Sequence, residues 1–308
     1  MARERLLCVS VDLDGPGCYH EIHGLPAPGE SLADRHYTRG LARFLSLFDE
    51  LGVKATLFAV GRDLERSRCA SILADACTRG HEAANHTMTH PYAFSRLGPD
   101  AVRDEIRSAA ERIREAGGQG PRGFRAPGYH INDGIVSVLE ELGYAYDASL
   151  LPSPAYYLAK VGVMTWMRAT GRKSLSVAGH PGMTLSPGRP YRMGRSYWRE
   201  GNGLPELPCS VLPVVRVPFI GTTLSLAGRS RSVMMARIAA RGRWVGLEFH
   251  AIDLMDDRGD GLDVLSGYQP DVRVAVDEKT ATFRAVLRVL LDAGFASVTH
   301  ASALERLF

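Results

Sequence analysis

Two histidines, His86 and His90, stand four residues apart in the stretch Gly80-His81-Glu82-Ala83-Ala84-Asn85-His86-Thr87-Met88-Thr89-His90. On a helix or a tight helical turn that spacing puts both imidazoles on one side, where they can reach a single metal ion. Upstream, Val11-Asp12-Leu13-Asp14-Gly15 closes an apolar run that reads as a strand. Its two carboxylates supply what a hydrolytic metal site needs beside two imidazoles: a third ligand and a base. Alternation along a strand puts residues 12 and 14 on the same side, so the two can converge despite the intervening Leu13. Such a site hydrolyses amides or esters once three roles are filled. A base takes the proton of the attacking water, an oxyanion donor faces the carbonyl oxygen, and an acid protonates the leaving amine. Zinc is the default ion for this N/O donor set, and other divalent ions can substitute.

The elements that must position these residues alternate in type. Leu6–Leu13, Lys54–Val60, Glu82–Ala84, Gly123–Ala126 and Tyr144–Asp147 read as strands. Between them, Leu41–Leu51, Asp63–Arg79, Asp100–Ala116 and Asp133–Leu142 have helical apolar spacing, with Asp133 as a cap and glycines as stops. After Pro213, Val214–Phe219 reads as a strand, with Pro218 marking an edge or a strand end. Ser232–Ala240 reads as a helix, Trp244–Phe249 as a strand followed at once by His250, and Asp277–Ala293 as a helix capped by Asp277. Ala296–Thr299 reads as a closing strand. Roughly seven strand–helix units with right-handed crossovers favour a parallel barrel with helices outside. Asp12, Asp14, His86, His90, Arg125 and His250 all fall at or just after strand ends, where barrel active sites are built. Two segments interrupt the alternation. Residues 15–39 form a long loop after the aspartates, and about 152–210 form a large insertion within what otherwise reads as one domain over 1–308.

The chain has 308 residues, 45% of them apolar and 23% charged, which is ordinary globular composition. Its 37 basic and 34 acidic residues give a net charge of +3, and no dense basic run suggests nucleic acid. The 5 cysteines form no CxxC pair and fit reduced, buried thiols. The apolar run before Asp12 is too short for a signal peptide, and no run reaches the roughly 18 residues of a membrane span. A cytoplasmic enzyme is the expectation.

Five stretches together resemble the polysaccharide deacetylases of carbohydrate esterase family 4, the NodB-homology group. They are Val11-Asp12-Leu13-Asp14-Gly15, His86-Thr87-Met88-Thr89-His90, Gly123-Phe124-Arg125-Ala126-Pro127-Gly128-Tyr129, Tyr146-Asp147-Ala148-Ser149 and Leu247-Glu248-Phe249-His250. The resemblance implies a distorted (β/α) barrel with seven strands. It makes Asp12 the general base, Asp14, His86 and His90 the metal ligands, and His250 the general acid. Arg125 would hold and polarise the catalytic aspartate. Asp147 and Asp253 both have a claim to orient His250, and Asp147 could equally cap a turn. Two features depart from the commonest pattern. The first-motif aspartates are spaced rather than adjacent, as in a subgroup that includes peptidoglycan-deacetylase-like proteins, lipid-linked aminosugar deformylases and cyclic-imide hydrolases. Gly128 also precedes Tyr129 in the third motif, so the backbone oxyanion donor could be either.

The expected substrate is an N-acylated aminosugar or glycoconjugate met in the cytoplasm or at the inner face of the membrane. Residues 155–167 are mostly apolar and aromatic, with Arg168, Arg172 and Lys173 following, which would allow peripheral membrane contact. Two rival readings stand beside this one: an allantoinase-like cyclic-amide hydrolase on the same fold, and a non-catalytic sugar-binding relic.

Overall fold

The structure is a computed structural model that describes residues 4–169, 177 and 179–308. Nine strands are assigned among the described residues: β1 Leu6–Asp12, β2 Ala55–Ala59, β3 Glu82–Asn85, β4 Gly123–Phe124, β5 Tyr146–Asp147, β6 Tyr191–Met193, β7 Glu200–Glu206, β8 Trp244–His250 and β9 Ala296–Ser297. The helices are α1 Pro16–Ile22, α2 Ala42–Leu51, α3 Ser67–Thr78, α4 Pro99–Gly117 and α5 Asp133–Glu141, then α6 Pro154–Ala169, α7 Gly221–Ala227, α8 Arg229–Ala239, α9 Val276–Asp292 and α10 His300–Leu307.

The strands form one curled sheet in the order β6-β7-β5-β4-β3-β2-β1-β8, with β9 beside the start of β1. All pairs are parallel except β6 with β7. The expected barrel is therefore a half-barrel whose gap is crossed by isolated bonds. Ser210 N–H donates to Gly246 O at 2.8 Å, and Ile220 bridges Glu248.

Alternation in β1 and β8 explains the layering. Val9, Val11 and Leu13 join Leu247 and Phe249 in a core shared with Phe44 and Phe48 of α2 and Phe283 of α9. Ser10, Asp12, Glu248 and His250 have the opposite parity and face the inside of the curl. There the lower interior is filled by Phe58, Tyr146 and Leu207, with Ala301 and Leu304 of α10 packed against them. His300 stacks on Tyr146 at 5.8 Å and reaches Thr56 Oγ1 from Nδ1 at 3.0 Å, a structural role. The apolar floor leaves the upper end to polar groups.

Several expectations change. The parallel strand that follows β5 is not Val214–Phe219 but β7, inside the segment read as an insertion. Val214 and Arg216 have φ of 72° and 49°, and the Val214 side chain is 98% exposed, which no sheet strand allows. The helix expected over Asp63–Arg79 is broken at Arg66 into a 3-10 turn and α3. Asn132, not Asp133, caps α5 by accepting from Ile135 N–H, and Asp277 makes no side-chain cap on α9. Within α6, Ala155, Leu158, Ala159, Gly162 and Val163 are exposed, while Tyr156, Lys160 and Met167 are drawn toward the protein. The side chains of Trp166 and Arg168, and all of Arg172 and Lys173, lie outside the described residues. No helix among those described is long and apolar enough to cross a membrane.

Candidate active site

The parity of β1 aims two residues at one arginine. Arg125 is buried just after β4, and its Nη1 donates to Ser10 Oγ at 2.9 Å and to Asp12 Oδ1 at 2.5 Å. Its Nε donates to Ala148 O at 2.8 Å, and the guanidinium lies 4.1 Å above the Phe58 ring. Arg125 thus hangs across the curl from β4 to β1 and fixes the Asp12 carboxyl. Burial raises the Asp12 pKa, and Arg125 and His86 do not fully offset it, so the carboxyl sits above its ordinary value. A raised carboxyl pKa is nearer to what a general base needs.

Asp14 follows β1 and meets both histidines. Its Oδ1 lies 3.1 Å from His86 Nε2 and its Oδ2 lies 3.2 Å from His90 Nε2. The pair does not sit on a helix, as its spacing suggested. It flanks a tight loop in which Thr87 and His90 have φ of 67° and 57°. Left-handed backbone costs about 1–2 kcal/mol at each such residue. Bonds on every side hold it: Thr87 N–H to Asn85 Oδ1 at 2.8 Å, His90 N–H to Thr87 Oγ1 at 3.1 Å, and Gly61 N–H to Thr87 O at 3.0 Å. His86 Nδ1 donates to Arg125 O at 2.7 Å, which fixes the tautomer and leaves Nε2 as the bare donor.

These three residues fit a divalent cation. Their donor atoms lie within 4.8 Å of one another. Asp14 Oδ1 and His90 Nε2 are buried and form no hydrogen bond despite the short separations. Buried polar atoms without partners are costly, and a cation between the three would satisfy them. Burial raises Asp14, but His90 and His86 outweigh it, so its carboxyl lies well below the usual range, ready to ligate.

His250 ends β8, with its Nδ1 2.9 Å from Glu248 Oε1 and its Nε2 3.9 Å from Asp14 Oδ2. Burial lowers the imidazole pKa, yet Glu248, then Asp14 and Asp12, carry it well above 6.5. Glu248 itself sits below its ordinary value, because His250 and Arg125 outweigh burial. Glu248 is the functional residue that sequence reasoning missed. Its signal was there: it lies two residues before His250, a lone carboxylate in a buried apolar strand.

The two residues expected to orient His250 do other things. Asp147 accepts from Ser149 Oγ at 2.7 Å and from Ser149 N–H at 3.1 Å, and Ser149 Oγ accepts from Ala126 N–H at 2.8 Å. It therefore anchors the loop after Arg125. Asp253 accepts from the His250 backbone N–H at 2.8 Å, and burial pushes its carboxyl up to about 7. It supports the main chain of His250, not the ring.

Gly128 and Tyr129 follow with φ of 60° and 64°. Tyr129 N–H donates to Ala126 O at 3.2 Å, which leaves the Gly128 amide the better placed of the two oxyanion candidates. A cavity of about 620 Å³ lies under the loop that follows Asp14, lined by Gly15, Cys18, Glu21, Leu25 and Arg62 among others, with none of the site residues in its wall.

Residues 33–146 match the family model described as polysaccharide deacetylase. Over that stretch the chain is similar to polysaccharide deacetylases. The matched stretch holds His86, His90, Arg125, Gly128 and Tyr129, while Asp12, Asp14, Asp147, Glu248, His250 and Asp253 lie outside it. A peptidoglycan deacetylase of Helicobacter pylori is 26% identical over 166 residues, 53% of this chain and 55% of that protein. A chitooligosaccharide deacetylase of a Bradyrhizobium species is 39% identical over 84 residues, 27% of this chain and 37% of its own length. The chain spans about half or less of these curated relatives. In three dimensions, a candidate polysaccharide deacetylase of Mycobacterium smegmatis superposes with a TM-score of 0.60 at 17% identity, covering 100% of this chain and 92% of that one. The fold is thus shared with that structure over the whole chain, β1 and β8 included.

Proposed function

We propose that the chain is a metal-dependent hydrolase that removes an N-acetyl or N-formyl group from an aminosugar or glycoconjugate. The observation that carries this reading is the convergence of Asp14, His86 and His90 beside an Arg125-bound carboxylate and a Glu248-bound histidine. Asp14, His86 and His90 would hold the cation, with zinc as the default. When bound, a divalent ion there supplies Lewis acidity and lowers the pKa of a water.

The chain's own residues do the rest. Asp12 takes the proton of the attacking water, held in place by Arg125 and Ser10. The Gly128 or Tyr129 amide donates to the developing oxyanion. His250, kept protonated by Glu248, donates to the nitrogen as the C–N bond breaks. The exposed apolar side of α6 would suit an acceptor carried on a lipid.

Two tests follow. Zinc-loaded protein is expected to release acetate or formate from some member of a panel of N-acyl aminosugars, nucleotide sugars and lipid-linked aminosugars. No release from any of them, with cyclic amides opened instead, would sink the reading. His250→Ala should slow amide substrates far more than activated aryl esters, since an aryloxide leaves without a proton. Glu248→Gln should cost roughly 10–100-fold, as loss of an orienting partner does. Because Glu248 raises the His250 pKa, its removal should move the alkaline limb of kcat to lower pH. Equal losses on amide and ester would remove His250 as the acid, and an unmoved limb would remove Glu248 as its partner.

A further inference from the structure

The insertion helix α6 reaches into the loop assigned above to the oxyanion. Lys160 Nζ lies 2.6 Å from His130 Nε2 and donates to Gly128 O at 3.4 Å. One turn earlier, Tyr156 meets Tyr129 edge-on, with ring centroids 5.7 Å apart. Residues four apart share a helix face, so Tyr156 and Lys160 together grip Gly128, Tyr129 and His130. We propose that Lys160 is a positioning residue that holds the left-handed Gly128–Tyr129 turn in place and sets a positive charge beside its amides. This rests on the reading of that turn as the oxyanion donor.

Three observations carry the assignment. First, the turn is strained. Two successive left-handed residues, one of them Tyr129, persist only where the surroundings hold them. Second, no carboxylate forms an ion pair with Lys160 among the described residues, whose bonds from it go to His130 and Gly128. A partly buried ammonium without a counter-charge is expensive as mere structure, and a methionine would pack there more cheaply. A site where negative charge develops during the reaction gives that cation a purpose. Third, the pair is set up to bond in one sense. Burial, then Lys160 and Arg96, lowers His130 to about 3, so its ring is neutral and its Nε2 accepts. Burial lowers Lys160 only to about 8, so it remains the cationic donor near neutral pH. Gly128, His130, Tyr156, Lys160 and Met183 line one small cavity around the pair.

The test compares wild-type, Lys160→Met and Lys160→Arg as full-length, zinc-loaded proteins. Two readouts are taken: steady-state kinetics on the best N-acyl aminosugar, and hydrogen exchange of the backbone segment 126–131. Lys160→Met should lower kcat by roughly 10–100-fold, as for loss of a partner that orients an active group. KM and zinc content should stay near wild-type, segment 126–131 should exchange faster, and Lys160→Arg should recover most of the loss. Unchanged kcat and unchanged exchange in Lys160→Met would overturn the proposal. So would a defect confined to KM, which would make Lys160 a substrate anchor instead. If wild-type protein releases no acyl group at all, the N-deacylase reading fails by itself, and the exchange comparison still decides whether Lys160 holds the turn.

Discussion

Asp12→Asn is expected to keep its metal and lose turnover by about 10²–10⁴-fold, the range for removal of a general base. The replacement is nearly isosteric. It can still accept from Arg125, whose other bonds to Ser10 and Ala148 O remain, so the guanidinium stays in place. Asp14, His86 and His90 are untouched, and zinc content measured on the purified variant should match wild-type. The wild-type pH profile supports the same division of labour. Activity should fall as pH drops through the Asp12 pKa, which burial sets above the ordinary 3.8, because the base must be ionised. It should fall again as pH rises through the His250 pKa, which Glu248 sets above 6.5, because the acid must be protonated. Asp12→Asn activity within tenfold of wild-type would transfer the base role elsewhere.

His86→Ala should abolish both metal retention and catalysis. The imidazole has two tasks that alanine cannot share. Nε2 faces Asp14 at 3.1 Å, and Nδ1 ties the loop to Arg125 O at 2.7 Å. Its loss leaves Asp14 and His90 as a two-donor site, too few for tight tetrahedral binding. Elemental analysis should find less than about a tenth of an equivalent of zinc in the variant. Full zinc occupancy in His86→Ala would remove the assignment of these ligands.

Much of this site could be read from the chain because period-two alternation is a strong local rule. Asp12 and Asp14 belong on one face whatever residue stands between them, and Ser10 and Asp12 do meet the same arginine. The same rule, applied to Trp244–His250, points to Glu248. It was overlooked because the surrounding apolar residues dominated the reading of that strand. β7 was not legible. Glu200-Gly201-Asn202-Gly203-Leu204-Pro205-Glu206 carries two glycines and a proline, and its strand geometry comes from pairing with β5 and β6 rather than from propensity. Val214–Phe219 misled in the opposite sense. Its β-branched residues suit a strand, but Arg216 is committed to the Thr184 and Ser186 carbonyls at 2.6 and 3.0 Å, which holds the segment as a loop. The histidine spacing brings His86 and His90 together through a tight loop, not a helical face. Hydrogen bonds involving Thr87 and Asn85 hold that loop. Likewise Asp147 sits in the expected motif, yet a contact to Ser149, two residues on, takes its carboxylate.

The most direct measurement is a zinc titration of metal-stripped protein with acyl release from an N-acyl aminosugar followed in the same samples. Activity is expected to be absent after chelation, to return in proportion to added zinc, and to level off at about one equivalent, as for a single site built from Asp14, His86 and His90. Stripped protein that retains full turnover with less than about a tenth of an equivalent of any divalent metal would contradict a metal-dependent hydrolase at this site.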